Sequence, residues 1–133
     1  MTVFIDLDGV QADFQSRVIE VTGKPYDPKT SWKIIETILN FFYFLKPLPF
    51  KFSGDYIVLT ALPEPTGLLT TAAKDKMDWV QRYLQRPCVC VPGWQYKKDF
   101  CNSPYDVLID DSERNVNDWP GIGILYSPSM QGL

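Results

Sequence analysis

Val3-Phe4-Ile5-Asp6-Leu7-Asp8-Gly9-Val10-Gln11-Ala12-Asp13 is the stretch from which the rest of the chain can be read. A short apolar run that gives way at once to acids and a glycine is the pattern of a buried parallel strand ending in a site. In open α/β sheets the ligand crevice lies at the carboxyl ends of the strands. Asp6 and Asp8 flank Leu7, so in an extended segment both acids share one side. Gly9 lets the chain turn without a Cβ penalty. Two carboxylates this close repel unless a hard divalent cation sits between them or one acid keeps its proton.

The chain has 133 residues, 45% of them hydrophobic, which suits one compact domain spanning residues 1–133. The net charge of −3 lacks the excess of positive charge that a sequence-independent grip on nucleic acid requires, but does not exclude a single nucleotide. There is no histidine, which removes Ser-His-Asp and Cys-His catalysis and histidine-containing zinc sites. Acid–base work falls to carboxylates, lysine, tyrosine or water. Cys88, Cys90 and Cys101 are odd in number, and no targeting segment is visible, so a reducing, cytoplasmic setting is expected. Cys88 and Cys90 alternate with Val89 and read as small core residues of a buried strand. The apolar region from Ile34 to Phe50 is interrupted by Lys46, Pro47 and Pro49 and is too short to span a bilayer.

Along the chain, Phe14, Val18 and Val21 have helical spacing, closed by Gly23-Lys24-Pro25. Tyr26 to Thr30 is a loop. Ser31 is a candidate N-cap for a helix running from Trp32 into Phe41-Phe42-Tyr43-Phe44, stopped by Pro47 and Pro49. Asp55 to Ala61 is a second strand, Tyr56-Ile57-Val58-Leu59 ending in Thr60. Thr71 to Gln85 is a long helix, with Met77, Val80 and Leu84 on one side. Val89 to Val91 is a third strand, and Lys97 to Cys101 is about one helical turn. Val107 to Ile109 is a fourth strand, ending in Asp110-Asp111. Ser112 to Asn115 caps a short helix from Arg114 to Trp119. Ile122 to Leu125 is a fifth strand, and the tail from Ser127 reads as loosely ordered. The alternation predicts an α/β fold, a mostly parallel sheet of about five strands flanked by helices. Residues 24–54 alone break the alternation.

Strand ends of a parallel sheet converge, so Asp6, Asp8, Thr60, Asp110 and Asp111 are expected to meet. Asp6-Leu7-Asp8-Gly9 after an apolar strand resembles the first motif of the haloacid dehalogenase superfamily of phosphohydrolases. The extension Gly9-Val10-Gln11-Ala12-Asp13-Phe14 looks more specifically like its 5'(3')-deoxyribonucleotidase branch. Thr60 after Ile57-Val58-Leu59, a lysine at Lys97 or Lys98, and Ile109-Asp110-Asp111 follow in the superfamily's motif order. The resemblance implies a Rossmannoid core with a small helical cap, residues 24–54, inserted after the first strand.

It also implies roles. Asp6 would be the nucleophile that forms an aspartyl-phosphate, and Asp8 the acid that protonates the leaving group and later activates water. Mg2+ would be held by Asp6, the Asp8 main-chain carbonyl and Asp110 or Asp111, with Asp111 favoured as ligand. Thr60 and backbone amides near Ala61 would hold the phosphoryl oxygens; Ala61 stands where these nucleotidases often carry a second hydroxyl. Lys97, favoured over Lys98 by the pattern Lys97-Lys98-Asp99-Phe100-Cys101, would neutralise charge, and Lys76 resembles a basic position of the branch. The plainer readings are a solvated helix face for Lys76, a solvated helix end for Lys97-Lys98, a β-former for Thr60 and a helix cap for Asp13.

Trp32, Phe41 and Phe44 are candidates to face the substrate, since consecutive aromatics on a helix cannot all point one way. The resulting expectation is an enzyme, a Mg2+-dependent phosphatase of (deoxy)nucleoside monophosphates, monomeric or a homodimer through cap aromatics. No membrane and no stable nucleic-acid partner is expected. The rivals are a phosphoacceptor module like a receiver domain, a non-catalytic binding relative, and a phosphatase of polynucleotide 3' ends or other small molecules.

Overall fold

The structure, a computed structural model, describes residues 1–127. The tail from Pro128 onward, expected to be loosely ordered, lies outside them. Five strands form one parallel sheet: β1 (Val3–Ile5), β2 (Ile57–Ala61), β3 (Cys88–Val91), β4 (Val107–Asp110) and β5 (Ile122–Leu125), in the order β3-β2-β1-β4-β5. β1 is central and pairs with β2 through Phe4↔Ile57 and with β4 through Phe4↔Leu108. Connections run outward in one direction to β3 and then cross back past β1 to β4. The switch point therefore falls at the end of β1, where such sheets open a crevice.

Alternation along the strands builds a core on each face of the sheet. Val3, Ile5, Val58 and Ile109 pack with Phe14 and Val18 of helix α1 (Phe14–Thr22) and with Trp79 and Val80 of helix α3 (Ala72–Tyr83). Phe4, Leu59, Val91 and Leu108 pack on the other face with Trp119, which ends helix α4 (Glu113–Asp118). α1 begins as the sequence suggests, with Asp13 Oδ1 accepting from the Ser16 amide at 3.1 Å. Ser112 Oγ accepts likewise from the Asn115 amide at 3.4 Å at the head of α4.

Two expectations are corrected. Cys88 and Cys90 are half-buried and not enclosed in the core, because β3 is an edge strand. The helix expected from Trp32 into Phe41-Phe42-Tyr43-Phe44 is broken in two. Helix α2 (Ser31–Ile35) is short; Thr30 is its N-cap, and the Ser31 hydroxyl instead accepts from the Asp27 amide at 2.8 Å. The chain then turns at Asn40, whose φ of 53° is left-handed, and enters a 3-10 helix at Phe41–Phe44. Asn40 donates to Asp75 Oδ1 at 2.9 Å, fastening the turn to α3. After the break both Phe41 and Phe42 enter the core. Among the described residues no helix is long and apolar enough to cross a membrane.

Candidate functional site

The strand ends open into one cleft of about 580 Å³, lined by Asp6, Asp8, Thr60, Ala61, Lys76, Lys97, Asp110 and Asp111. Its floor follows from the loop after β1. The Asp6 amide donates to the Ile109 carbonyl at 2.9 Å, which keeps Asp6 beside β4. The Leu7 carbonyl then accepts from the Gln11 and Ala12 amides at 2.9 and 3.0 Å, curling the chain tightly. Gln11 is buried beneath: it donates to the Asp6 carbonyl at 3.0 Å and accepts from the Tyr56 hydroxyl at 2.7 Å. This brace sits inside the motif, yet glutamine in a loop gave no hint of burial.

Lys97, on the 3-10 helix Trp94–Phe100, is 3% exposed and bridges Asp6 Oδ1 and Asp110 Oδ2, each at 2.8 Å. Asp110 is fully buried and also accepts from the Ser112 amide and from Asn115 Nδ2, at 2.9 and 3.1 Å. Lys98 is half-exposed, 3.8 Å from Asp118 and away from the cleft, so the choice between the two lysines falls on Lys97.

Lys76 corrects the solvated-face reading. It is 1% exposed, and its ammonium donates to Asp8 Oδ2, Thr60 Oγ1 and the Ala61 carbonyl at 2.8, 3.0 and 2.8 Å. The Phe42 ring lies 4.5 Å away. All three donors are spent, so Lys76 ties the ends of β1 and β2 together and has none left for a phosphate. Asp8 Oδ1 is buried without a partner.

Of the aromatic candidates only Trp32 lines the cleft. Phe41 is buried in the core, and Phe44 is exposed beside the Arg17 guanidinium. Phe42, Phe14 and Tyr26 form the wall instead, with Trp32 Nε1 donating to the Tyr26 hydroxyl at 3.0 Å. Glu64, Trp94, Gln95, Arg114 and Asn115 also line the cleft. No sequence pattern marked them except Arg114 and Asn115, noted only as part of a helix start.

Asp6, Asp110 and Asp111 each bring a carboxylate oxygen within 4.8 Å of the others. Burial, then the Asp110 charge, holds the Asp6 carboxyl well above the usual range, although Lys97 works against both. Burial also works to lower the Lys97 ammonium, but Asp6 and Asp110 outweigh it and hold the amine above its ordinary value. Desolvation at the cleft pushes Asp111 up to about 6, with Asp110 adding to the rise and a hydrogen bond to Asp6 opposing it. Five carboxylates face three cations in the cleft, a deficit of two positive charges. Clustered oxygen donors with excess negative charge fit a hard divalent cation. Asp110 is largely engaged by protein donors, so Asp6 and Asp111 are the more open of the three.

A pH dependence follows. Without metal the folded protein keeps protons on Asp111 and Asp6 that the unfolded chain releases near its ordinary carboxylate range of about 4. The Asp111 part of this contribution is fully present below that range and is lost as pH rises through about 6; the Asp6 part is lost likewise as pH rises through its raised range. In chelator, the melting temperature should fall between about pH 5 and about pH 7, and Mg2+ should raise it more at the higher pH. Equal Mg2+ shifts at both pH values would remove this cluster as the cation site.

Gly9 has φ +83°, and a Cβ built there would lie 2.0 Å from Asp111 Oδ2. Gly9→Ala is expected to cost about 1–2 kcal/mol through the left-handed backbone alone. It should also push Asp111 aside and shrink the Mg2+-induced rise in melting temperature. A full Mg2+ shift in a folded Gly9→Ala protein would show that Asp111 is not a ligand.

No protein-family model matches the chain, and no curated protein matches it.

Proposed function

We propose that this protein is a divalent-metal-dependent phosphomonoesterase with a haloacid dehalogenase-like core, acting on (deoxy)nucleoside monophosphates through an aspartyl-phosphate at Asp6. The observation that carries the reading is the pair of carboxylates in one cleft, each anchored by its own buried lysine. Lys97 holds Asp6, and Lys76 holds Asp8 by Oδ2 while its Oδ1 has no partner. A nucleophile and a proton carrier two residues apart are what a monoester requires.

In the first half of the reaction an Asp6 oxygen bonds to phosphorus, the ester P–O bond breaks, and the leaving oxygen takes the proton of Asp8 Oδ1. In the second half Asp8 takes a proton from water, the water oxygen bonds to phosphorus, and Asp6 leaves with its oxygens intact. Lys97 stays fixed on Asp6 and Asp110, orienting the nucleophile. Mg2+ held by Asp6, Asp111 and the Asp8 main-chain carbonyl would supply the positive charge that the cleft lacks, keeping Asp6 ionised beside a phosphate. Thr60 stands at the phosphoryl end. Residues 24–54 act as a small cap whose Trp32, Tyr26 and Phe42 offer rings to a base.

The test is phosphate release, with Mg2+ and with chelator, from 5'- and 3'-nucleoside monophosphates, sugar phosphates and an aryl phosphate, with Asp6→Asn as the blank. Metal-dependent release from deoxynucleotides is expected. Release from the aryl phosphate alone would remove the nucleotide assignment, and none from any compound would remove the enzyme. A long-lived phosphoprotein would point to a phosphoacceptor module, although such modules have no counterpart to Asp8.

A further inference from the structure

Three cations line the cleft: Lys76, Lys97 and Arg114. The two lysines are consumed by Asp8, Thr60 and Ala61 on one side and by Asp6 and Asp110 on the other. Arg114 differs. Its guanidinium lies 3.9 Å from the centroid of the Trp94 ring, and among the described residues it makes no ion pair and no hydrogen bond.

Stacking on an indole fixes a guanidinium plane while leaving its N–H edge free. That edge is a planar fork matched to two oxygens of one phosphate. The cost of ordering a long side chain is thus partly met before any ligand arrives. No carboxylate has been placed to neutralise Arg114, although acids are plentiful in this cleft. The neighbouring Asn115 also lines the cleft. Its Nδ2 must face Asp110, since a carboxylate only accepts, and its buried Oδ1 is left without a donor. A sugar hydroxyl supplies such a donor. The cleft volume of about 580 Å³ is large for a lone phosphate and suits a nucleotide.

We propose that Arg114, held on Trp94, is a second anion subsite, and that the preferred substrate is a nucleotide carrying a further phosphate group besides the one removed. This rests on the phosphomonoesterase reading and names the substrate class of the same cleft. Two sources present this chemistry: a free nucleoside bisphosphate and the phosphorylated end of an oligonucleotide.

The experiment compares adenosine 3',5'-bisphosphate, adenosine 5'-monophosphate and a 5'-phosphorylated adenosine dinucleotide, with Mg2+ and the full chain. The quantity read is the ratio of kcat/KM for each compound with two phosphate groups to that for the monophosphate. If nothing is turned over, calorimetry on the same protein reads the ratio of affinities. The ratio should exceed one, fall by about tenfold in Arg114→Ala, and recover in part in Arg114→Lys. A preference for the bisphosphate over the dinucleotide identifies the free metabolite as the source, and the reverse identifies the strand end. Turnover with a ratio near one, or a ratio untouched by Arg114→Ala, overturns the subsite and leaves the phosphatase standing. A loss shared equally by all three compounds overturns it too, since Arg114 would then serve a group they share, the phosphate removed or the base. An affinity ratio above one that Arg114→Ala abolishes, without turnover, keeps the subsite and removes the enzyme. Failure to bind any of the three overturns both.

Discussion

On the proposed mechanism, Asp6→Asn should lose phosphate release by about 10³-fold or more, as removal of a covalent nucleophile does, while the protein stays folded. The amide has the shape of the carboxylate, and its oxygen can still accept from Lys97, now 2.8 Å from Asp6 Oδ1. Folding is spared for a second reason. Burial and the Asp110 charge hold the Asp6 carboxyl well above its ordinary range, so its ionised form is a burden to the metal-free fold at neutral pH. The variant should therefore melt no lower than the parent in chelator while being inactive in Mg2+. The two readouts separate the nucleophile from a structural acid: retained turnover removes Asp6 from the chemistry, and collapse of the fold makes it a structural residue.

Lys97→Met should have the largest effect on stability, about 3–5 kcal/mol, because it leaves buried carboxylates uncompensated. Asp110 is fully buried and Asp6 nearly so, and one ammonium serves both. The expected fall in melting temperature is roughly 10–20 °C. Adding Asp110→Asn should recover part of it. Recovery cannot be complete, since the Ser112 amide and Asn115 both donate to Asp110 and an amide can accept on one side only. Lys98→Met is the control, within about 0.5 kcal/mol of the parent as surface changes usually are. Thermal melts that show Lys97→Met and Lys98→Met alike would remove Lys97 from the acid cluster.

The three central strands were legible because buried parallel strands leave apolar runs bounded by turns: Val3-Phe4-Ile5, Ile57-Val58-Leu59 and Val107-Leu108-Ile109 announce themselves. Their order was not, since pairing is set by contacts between distant segments. The same limit explains the edge position of β3 and the half-exposure of Cys88 and Cys90. The aromatic cluster read as helix because the cap signal at Ser31 is followed by no breaker before Pro47, and the left-handed turn at Asn40, held by its bond to Asp75 on α3, ends the helix earlier. Asp6, Asp8, Asp110 and Asp111 were legible as strand-end residues, and Glu64 was not. The burial of Lys76 and Lys97 was not, because lysine is ordinarily exposed and the carboxylates that draw it inward come from elsewhere in the chain. The same holds for Arg114 and Trp94, which meet only after the sheet has formed.

The central place of β1 has a consequence during synthesis. β1 is made before the other four strands, and the sheet is built outward from it on both sides. Its pairing with β4 joins Val3 to Val107, and the Thr2 amide donates to Asp106 across 104 positions. At translation rates of about 5–20 residues per second, that partner arrives roughly 5–20 s after β1 itself. Over this interval an apolar strand waits with an open edge, the form in which nascent chains pair wrongly with one another. Slowing the ribosome would lengthen the exposure, so the yield of native protein from a cell should depend on the pace of elongation as well as on final stability.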